Sequence, residues 1–307
     1  MIDVAAAVIE RDDGYVLLAE RPASKPWAGY WEFPGGKIEV NESPAVALRR
    51  ELHEELGIDA DLITPWITRD YDYPEKSVRL HFFRVPRWHG TPHGREGQRL
   101  TWENSAAVTV APLLPANGPI LQALTLPSFY AITSAAKPGV EAFMPRLEAA
   151  LARGVRLIQV REKELAGSAL EGFARAVVQR AHASGARVLV NGDAVLAQRV
   201  GADGVHLTSQ GLRTLTVRPD LPLAAASCHD AAELERAQQL GVDFAVLSPV
   251  LPTASHPGAP GIGWARFAEL VRDRPFPVYA LGGMKPDMLA EARAHGAHGL
   301  ALLSGIW

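Results

Sequence analysis

The feature that most restricts the fold is a rhythm. From Phe129 onward, short apolar runs alternate with amphipathic stretches of helical period. The apolar runs fall at residues 129–133, 157–161, 187–191, 204–207, 223–227, 244–248, 278–282 and 299–303. Short, mostly apolar runs of this kind suit strands of a parallel sheet. Helical stretches at 141–153, 169–184, 231–240 and 286–295 lie between them. Eight strands separated by crossovers predict a (β/α)8 TIM barrel over residues 126–307. The chain stops four residues after the eighth strand, at Ser304-Gly305-Ile306-Trp307. The last helix is therefore expected to be truncated or missing, with something else covering its flank.

Residues 1–125 follow another pattern, a mixed α/β one. Strands are expected at 4–9 and 15–19, either side of the turn residues Asp12-Asp13-Gly14, and again at 78–85. Five of the seven tryptophans (Trp27, Trp31, Trp66, Trp88 and Trp102) lie here and are expected in the core or in a cleft wall. Pro112, Pro115, Pro119 and Pro127 mark the end of this domain and a linker. The chain thus reads as α/β with two domains, 1–125 and 126–307.

Composition excludes several classes. A net charge of -3 offers no global attraction to a nucleic-acid polymer, so any nucleotide partner is expected to be a free small molecule. The single cysteine, Cys228, rules out an internal disulfide and fits a reducing compartment. Met1-Ile2-Asp3-Val4 lacks the basic start of a signal peptide, and no apolar run reaches membrane-spanning length. A cytoplasmic enzyme is expected. Oligomeric state is not legible.

The chemistry concentrates in one helix. Ser43 followed by Pro44 is an N-cap and first-turn proline, and Gly57 is a helix-ending glycine, which predicts a helix from about Pro44 to Leu56. Glu51, Glu54 and Glu55 then stand at i, i+3 and i+4 on one face. Three like charges so close weaken a helix unless a hard divalent cation gathers them, and Mg²⁺ takes oxygen ligands while keeping waters for substrate phosphates. Gly35 and Gly36, just upstream, let the backbone approach such a metal or a phosphate closely.

Gly36, Glu42, Arg50, Glu51, Glu54, Glu55 and Gly57 occupy every defined position of the Nudix box. With Arg21, Trp31-Glu32-Phe33-Pro34-Gly35-Gly36-Lys37, Arg87-Trp88-His89-Gly90, Gly94-Arg95-Glu96-Gly97-Gln98 and Pro115-Ala116-Asn117, the first domain resembles the MutT-type 8-oxo-dGTP diphosphatases. The resemblance implies a Nudix α/β/α sandwich with a mixed sheet. It implies Mg²⁺ or Mn²⁺ held by Glu51, Glu54, Glu55, Glu96 and the Gly35 carbonyl. Arg21, Glu32, Phe33, Pro34, Gly35, Lys76 and Asn117 would bind the nucleotide, with Lys76 standing where the family has arginine. Asn117, offering both a donor and an acceptor, would read the oxidised purine edge. The implied reaction is attack of water on the β-phosphorus, releasing monophosphate and pyrophosphate and so removing a mutagenic nucleotide from the pool. The general base would be Glu51 or Glu54, with Arg50 beside them.

The second domain resembles the thiamine phosphate synthase and TenI superfamily. The matching pieces are Gln159-Val160-Arg161-Glu162-Lys163, Val190-Asn191-Gly192-Asp193, Gly201-Ala202-Asp203-Gly204-Val205-His206, Pro252-Thr253, Ala280-Leu281-Gly282-Gly283 and Ser304-Gly305. By that resemblance Arg161, Lys163, Gly282, Gly283, Ser304 and Gly305 would hold a phosphorylated ligand at the mouth of the barrel. Two departures stand out. The synthases carry two metal-binding aspartates; here Gly192 matches one, and the other falls near Gln210-Gly211, where there is no acid. The TenI histidine after strand six is replaced by Pro249, although His229 and His256 lie near the expected cleft. The expectation is an 8-oxo-dGTP diphosphatase joined to a barrel with a degenerate catalytic site. The alternatives are a Nudix hydrolase of a thiamine-pathway diphosphate with the barrel as its partner enzyme, or a barrel serving as a non-catalytic scaffold or sensor.

Overall fold

The computed structural model describes residues 1–136, 138–253 and 260–307. His256 lies outside the described residues. The chain divides into two compact units, Met1–Leu126 with Arg272–Pro275, and Pro127–Val271 with Phe276–Trp307.

The first unit contains β1 (Ile2–Ile9), β2 (Tyr15–Glu20), β3 (Trp31–Glu32), β4 (Gly35–Lys37), α1 (Pro44–Leu56), β5 (Asp59–Tyr73), β6 (Lys76–His89), β7 (Leu100–Asn104) and α2 (Gly118–Leu124). One sheet has the order β4-β1-β6-β5 and is mixed, with β1 and β6 parallel. The other is antiparallel, in the order β3-β2-β7. Although Asp12-Asp13-Gly14 does form the turn, β1 and β2 on either side enter different sheets. Alternate residues of β1 face opposite ways. Ala5, Ala7 and Ile9 pack with Leu48, Leu52 and Leu56 of α1. Ala6 and Val8 pack with Trp31, Phe33 and Ile120, the last from α2. A helix therefore covers each side of β1, which makes the unit an α/β/α sandwich.

Helix α1 ends where its caps dictate. The Ser43 side chain accepts from the Val46 N–H, and Gly57, at φ 67°, turns left-handed to return its N–H to the His53 and Leu52 carbonyls. The expected linker differs from its reading. Its residues 115–117 form a 3-10 turn leading into α2. Upstream, the Pro112 carbonyl accepts from Trp31 N–H and the Trp31 carbonyl accepts from Leu114 N–H. The prolines punctuate folded structure here; the apolar side chains Ile120 and Leu121 are what hold it against the sheet.

The second unit is a closed parallel barrel of β8 (Phe129–Ile132), β9 (Leu157–Val160), β10 (Arg187–Asn191), β11 (Gly204–Leu207), β12 (Leu223–Cys228), β13 (Phe244–Leu247), β14 (Val278–Ala280) and β15 (Gly299–Leu302). Tyr130, Phe244 and Tyr279 meet inside it, with ring centroids 5.3 to 5.9 Å apart. Close backbone approach demands glycine at two positions of the barrel strands. A Cβ on Gly204 would lie 2.2 Å from the Leu223 carbonyl oxygen, and one on Gly299 would lie 2.1 Å from that of Ser128. No helix follows β15. Instead the Trp307 ring packs edge-on against Phe143 at 4.9 Å, and its Nε1 donates to the Ile132 carbonyl. Among the described residues, no helix is long and apolar enough to cross a membrane.

Candidate functional site

Two features of the first unit meet at Gly35-Gly36: a pocket and a carboxylate cluster. The glycines are needed by both. Gly35 has φ +145°, and a Cβ there would sit 2.1 Å from the Ala5 carbonyl oxygen, so close packing on β1 demands glycine. A Cβ on Gly36 would meet the Glu51 carboxylate at 2.2 Å. That carboxylate therefore lies directly on the backbone that also forms the pocket wall.

The pocket is lined by Arg21, Glu32, Phe33, Gly35, Lys76 and Asn117, and also by Pro26, Trp27 and Tyr73. Asn117 is buried and its Nδ2 donates to the Trp31 carbonyl at 3.4 Å. Pro34 adjoins the lining residues Phe33 and Gly35. It does not line the pocket, and its carbonyl accepts from Ala7 N–H at 2.8 Å, tying the loop to β1. Arg21 is held within the protein, donating to both Glu32 oxygens and, through Nε, to the Pro26 carbonyl. Burial pushes the Glu32 carboxyl upward, and the Arg21 charge opposes that rise. Tyr73 is pushed up to about 12, first by burial and then by the negative charge of Glu32.

Trp27 takes the cleft-wall place expected of it, whereas Tyr73 was not foreseen from the sequence. Their rings lie 5.6 Å apart, edge to face. The signal for Tyr73 was present in Tyr71-Asp72-Tyr73, whose alternation belongs to the long strand β5, but the many polar residues of that strand hid it.

The carboxylates on α1 do not stand free. Arg50 donates to Glu42, to Glu51 at 2.8 Å, to Glu54 at 3.2 Å and to the Lys37 carbonyl. Its pKa is raised by these partners, Glu42 first, and the Arg50 guanidinium in turn lowers that of Glu42. Glu54 is the most exposed of the three, with 57% of its side chain accessible, whereas Glu55 is only 12% exposed. Lys25 reaches Glu55 from another loop, and its Nζ lies 2.9 Å from Glu55 and 2.8 Å from Glu96. Burial pushes the Glu55 carboxyl up, Lys25 opposes, and the charges of Glu51 and Glu96 add to the rise. The like-charge repulsion expected on this face is thus relieved by one arginine and one lysine.

Among the described residues no three side chains form a ready metal-binding group, and Lys25 and Arg50 are bonded to the carboxylates. The chemistry nevertheless fits a hard dication. The expected donors, four carboxylates and the Gly35 carbonyl, are all oxygens, and an ammonium already occupies the position between two of the carboxylates.

In the barrel, Gly192 and Gly211 offer open space, each with only a Thr208 side-chain atom, at 3.5 Å, near a built Cβ. Asp193 lies beyond the end of β10. It caps the next helix by accepting from Leu196 N–H at 2.8 Å. Gly282 and Gly283 pack against Pro249, Leu251 and Pro252, so their glycine requirement arises from close backbone approach. Lys163, Ser304 and Gly305 are exposed, and Arg161 is half-buried with its N–H on the Thr133 hydroxyl. His229 Nδ1 faces Ser209 and Glu233, at 3.0 and 2.9 Å. A buried chain also went unread in the sequence. Gln159 Nε2 donates to the Tyr130 hydroxyl, which contacts His206 Nδ1, and His206 Nε2 contacts the Ser227 hydroxyl at 2.9 Å.

An acidic helix beside a pocket, with a separate barrel, defines a two-module protein. Residues 1–124 match the NUDIX domain family and residues 129–306 match the thiamine monophosphate synthase family, so the chain belongs to both: it is a Nudix hydrolase joined to a thiamine monophosphate synthase-type barrel. The first module is similar to CTP pyrophosphohydrolase of Escherichia coli K12, at 46% identity over 40% of this chain and 90% of that protein. It is also similar to the 8-oxo-dGTP diphosphatase of the same organism, at 34% identity over 40% of this chain and 95% of that protein. The barrel is similar to a putative thiamine-phosphate synthase of Geobacter sulfurreducens, at 39% identity over 58% of this chain and 86% of that protein.

Proposed function

We propose that the Nudix module hydrolyses 8-oxo-dGTP and related oxidised purine nucleoside triphosphates to the monophosphate and pyrophosphate, keeping the nucleotide pool of the cytoplasm free of a mutagenic precursor before DNA replication. The observation that carries this reading is the placement of buried Asn117 in the pocket that ends at Gly35, next to the glycine on which Glu51 rests. Base recognition and phosphate chemistry then meet across two residues. Glu51, Glu54, Glu55, Glu96 and the Gly35 carbonyl would hold Mg²⁺ or Mn²⁺. When bound, that ion would polarise phosphoryl oxygens and acidify a coordinated water. Arg50 holds Glu51 and Glu54 in place, and one of these two takes the proton from the attacking water. Lys76 lies in the pocket to meet phosphate, while Arg21 works through Glu32, to which both its bonds to a side chain go.

A second reading has one observation behind it. The identity of 46% to a CTP pyrophosphohydrolase exceeds that of 34% to the 8-oxo-dGTP diphosphatase, which favours a pyrimidine triphosphate. For the barrel we propose binding of a phosphate ester through Arg161, Lys163, Gly282, Gly283, Ser304 and Gly305, without thiamine phosphate synthesis.

The test is kcat/KM with Mg²⁺ for 8-oxo-dGTP, dGTP, CTP and a thiamine-pathway pyrimidine diphosphate, on the full chain and on Glu54→Gln. The oxidised purine should lead dGTP by at least about tenfold, the worth of one hydrogen bond of about 1.4 kcal/mol. Glu54→Gln should remove hydrolysis. CTP or the pyrimidine diphosphate turned over faster than 8-oxo-dGTP would overturn the assignment.

A further inference from the structure

The carboxylate cluster has two kinds of cation, and they are built differently. Arg50 is anchored, with donors on Glu42, Glu51, Glu54 and the Lys37 backbone. A planar fork satisfied on several sides is costly to move. Lys25 is anchored at one point only, its Nζ shared between Glu55 and Glu96 at 2.9 and 2.8 Å. Its side chain is 38% exposed, so rotation about the four-carbon stem carries the ammonium into water. Glu55 is nearly buried beside Glu51, so this corner carries more negative charge than one ammonium offsets.

We propose that Lys25 is a tethered cation that holds the divalent-metal position between Glu55 and Glu96 and is expelled when the metal binds. The proposal rests on the reading of Glu55 and Glu96 as metal ligands. Divalent charge and the capacity for several oxygen ligands favour the metal over a single ammonium at that point. Lys25 also lowers the cost of the metal-free state, in which three carboxylates would otherwise repel within one turn of α1 and its neighbouring loop. The residues that follow, Pro26 and Trp27, line the pocket, and Arg21 Nε is bonded to the Pro26 carbonyl. Release of Lys25 therefore acts on the loop that walls the nucleotide site.

The experiment uses the full chain without nucleotide and has two readouts. Mn²⁺ affinity is measured by electron paramagnetic resonance for wild type, Lys25→Met and Glu55→Gln. Acetylation of each lysine by an amine-reactive ester is measured by mass spectrometry with and without Mg²⁺. Lys25→Met should bind Mn²⁺ about three- to tenfold more tightly, in line with two partly exposed ion pairs removed from competition. Mg²⁺ should raise acetylation of Lys25 about fivefold as its ion pairs break, and leave the exposed Lys285 unchanged. Unchanged or weaker Mn²⁺ binding by Lys25→Met overturns the proposal. So does Lys25 acetylation that Mg²⁺ does not raise, because a purely long-range charge effect would tighten the metal without exposing the amine. Glu55→Gln separates the two layers. If it binds Mn²⁺ like wild type, the metal reading itself fails; if it binds weakly while Lys25 stays unmoved by Mg²⁺, only the lysine proposal fails.

Discussion

Arg21 donates through Nη1 to both carboxylate oxygens of Glu32, at 2.6 and 2.7 Å, on the wall of the pocket. Removing the arginine leaves a largely buried carboxylate without its counter-charge. Arg21→Gln should destabilise the Nudix unit by about 3 kcal/mol, the low end for a broken buried pair, because both side chains keep some exposure. The sign with pH follows from Glu32. Burial already raises its folded pKa above the unfolded value, and loss of Arg21 raises it further. The variant's deficit is therefore smallest at acid pH, where the carboxyl is protonated in both states, and grows as pH rises through the folded pKa. Melting temperatures of wild type and variant at pH 5 and pH 8 check this. A deficit equal at both values would show that Glu32 is not the source.

Asn117→Ala should reduce kcat/KM for 8-oxo-dGTP more than for dGTP. The difference expected is about 1–3 kcal/mol, the worth of a hydrogen bond to a buried partner. The side chain also donates to Trp31, so some loss common to both nucleotides is expected. Equal losses would mean that Asn117 holds the 3-10 turn in place and does not read the base.

The barrel should not make thiamine phosphate. Departure of pyrophosphate from a pyrimidine diphosphate develops negative charge that a metal ordinarily offsets. Gly192 and Gly211 supply no carboxylate, and Asp193 is engaged in capping its helix. The full chain, given the pyrimidine diphosphate, the thiazole phosphate and excess Mg²⁺, should form thiamine phosphate no faster than the uncatalysed mixture. Steady formation would mean that another acid has taken over.

His206 should make the barrel acid-sensitive. Burial and then the Arg161 charge hold its imidazole down to about 3, against 6.5 when unfolded. The unfolded chain therefore binds the proton first, and stability is lost as pH falls from about 6.5 toward 3. The contribution approaches about 1.4 kcal/mol per pH unit in that window. His206→Gln should flatten this slope. Denaturant titrations at pH 5.5 and 4.5, followed by circular dichroism, give the comparison; parallel slopes would exclude His206 as the cause.

Helix α1, its caps and the face shared by Glu51, Glu54 and Glu55 were legible in the sequence because they depend on contacts within a few residues. The eight barrel strands were legible for a similar reason, since burial on both faces leaves a short, mostly apolar run. Strand β5 was not, because its exposed, polar-rich outer positions dilute the alternation. Nor could local pattern show that residues 112–117 dock on Trp31, or that Lys25 reaches Glu55 and Glu96. Tyr130, His206 and Ser227 come together only when three distant strands close into one barrel. The sequence by itself determined which groups carry the chemistry, since ligand type and helical spacing are local properties. Tertiary structure alone decided that Lys25 meets Glu55 and Glu96, because side chains on α1 and on separate loops are brought within 3 Å only by the packing of the whole unit.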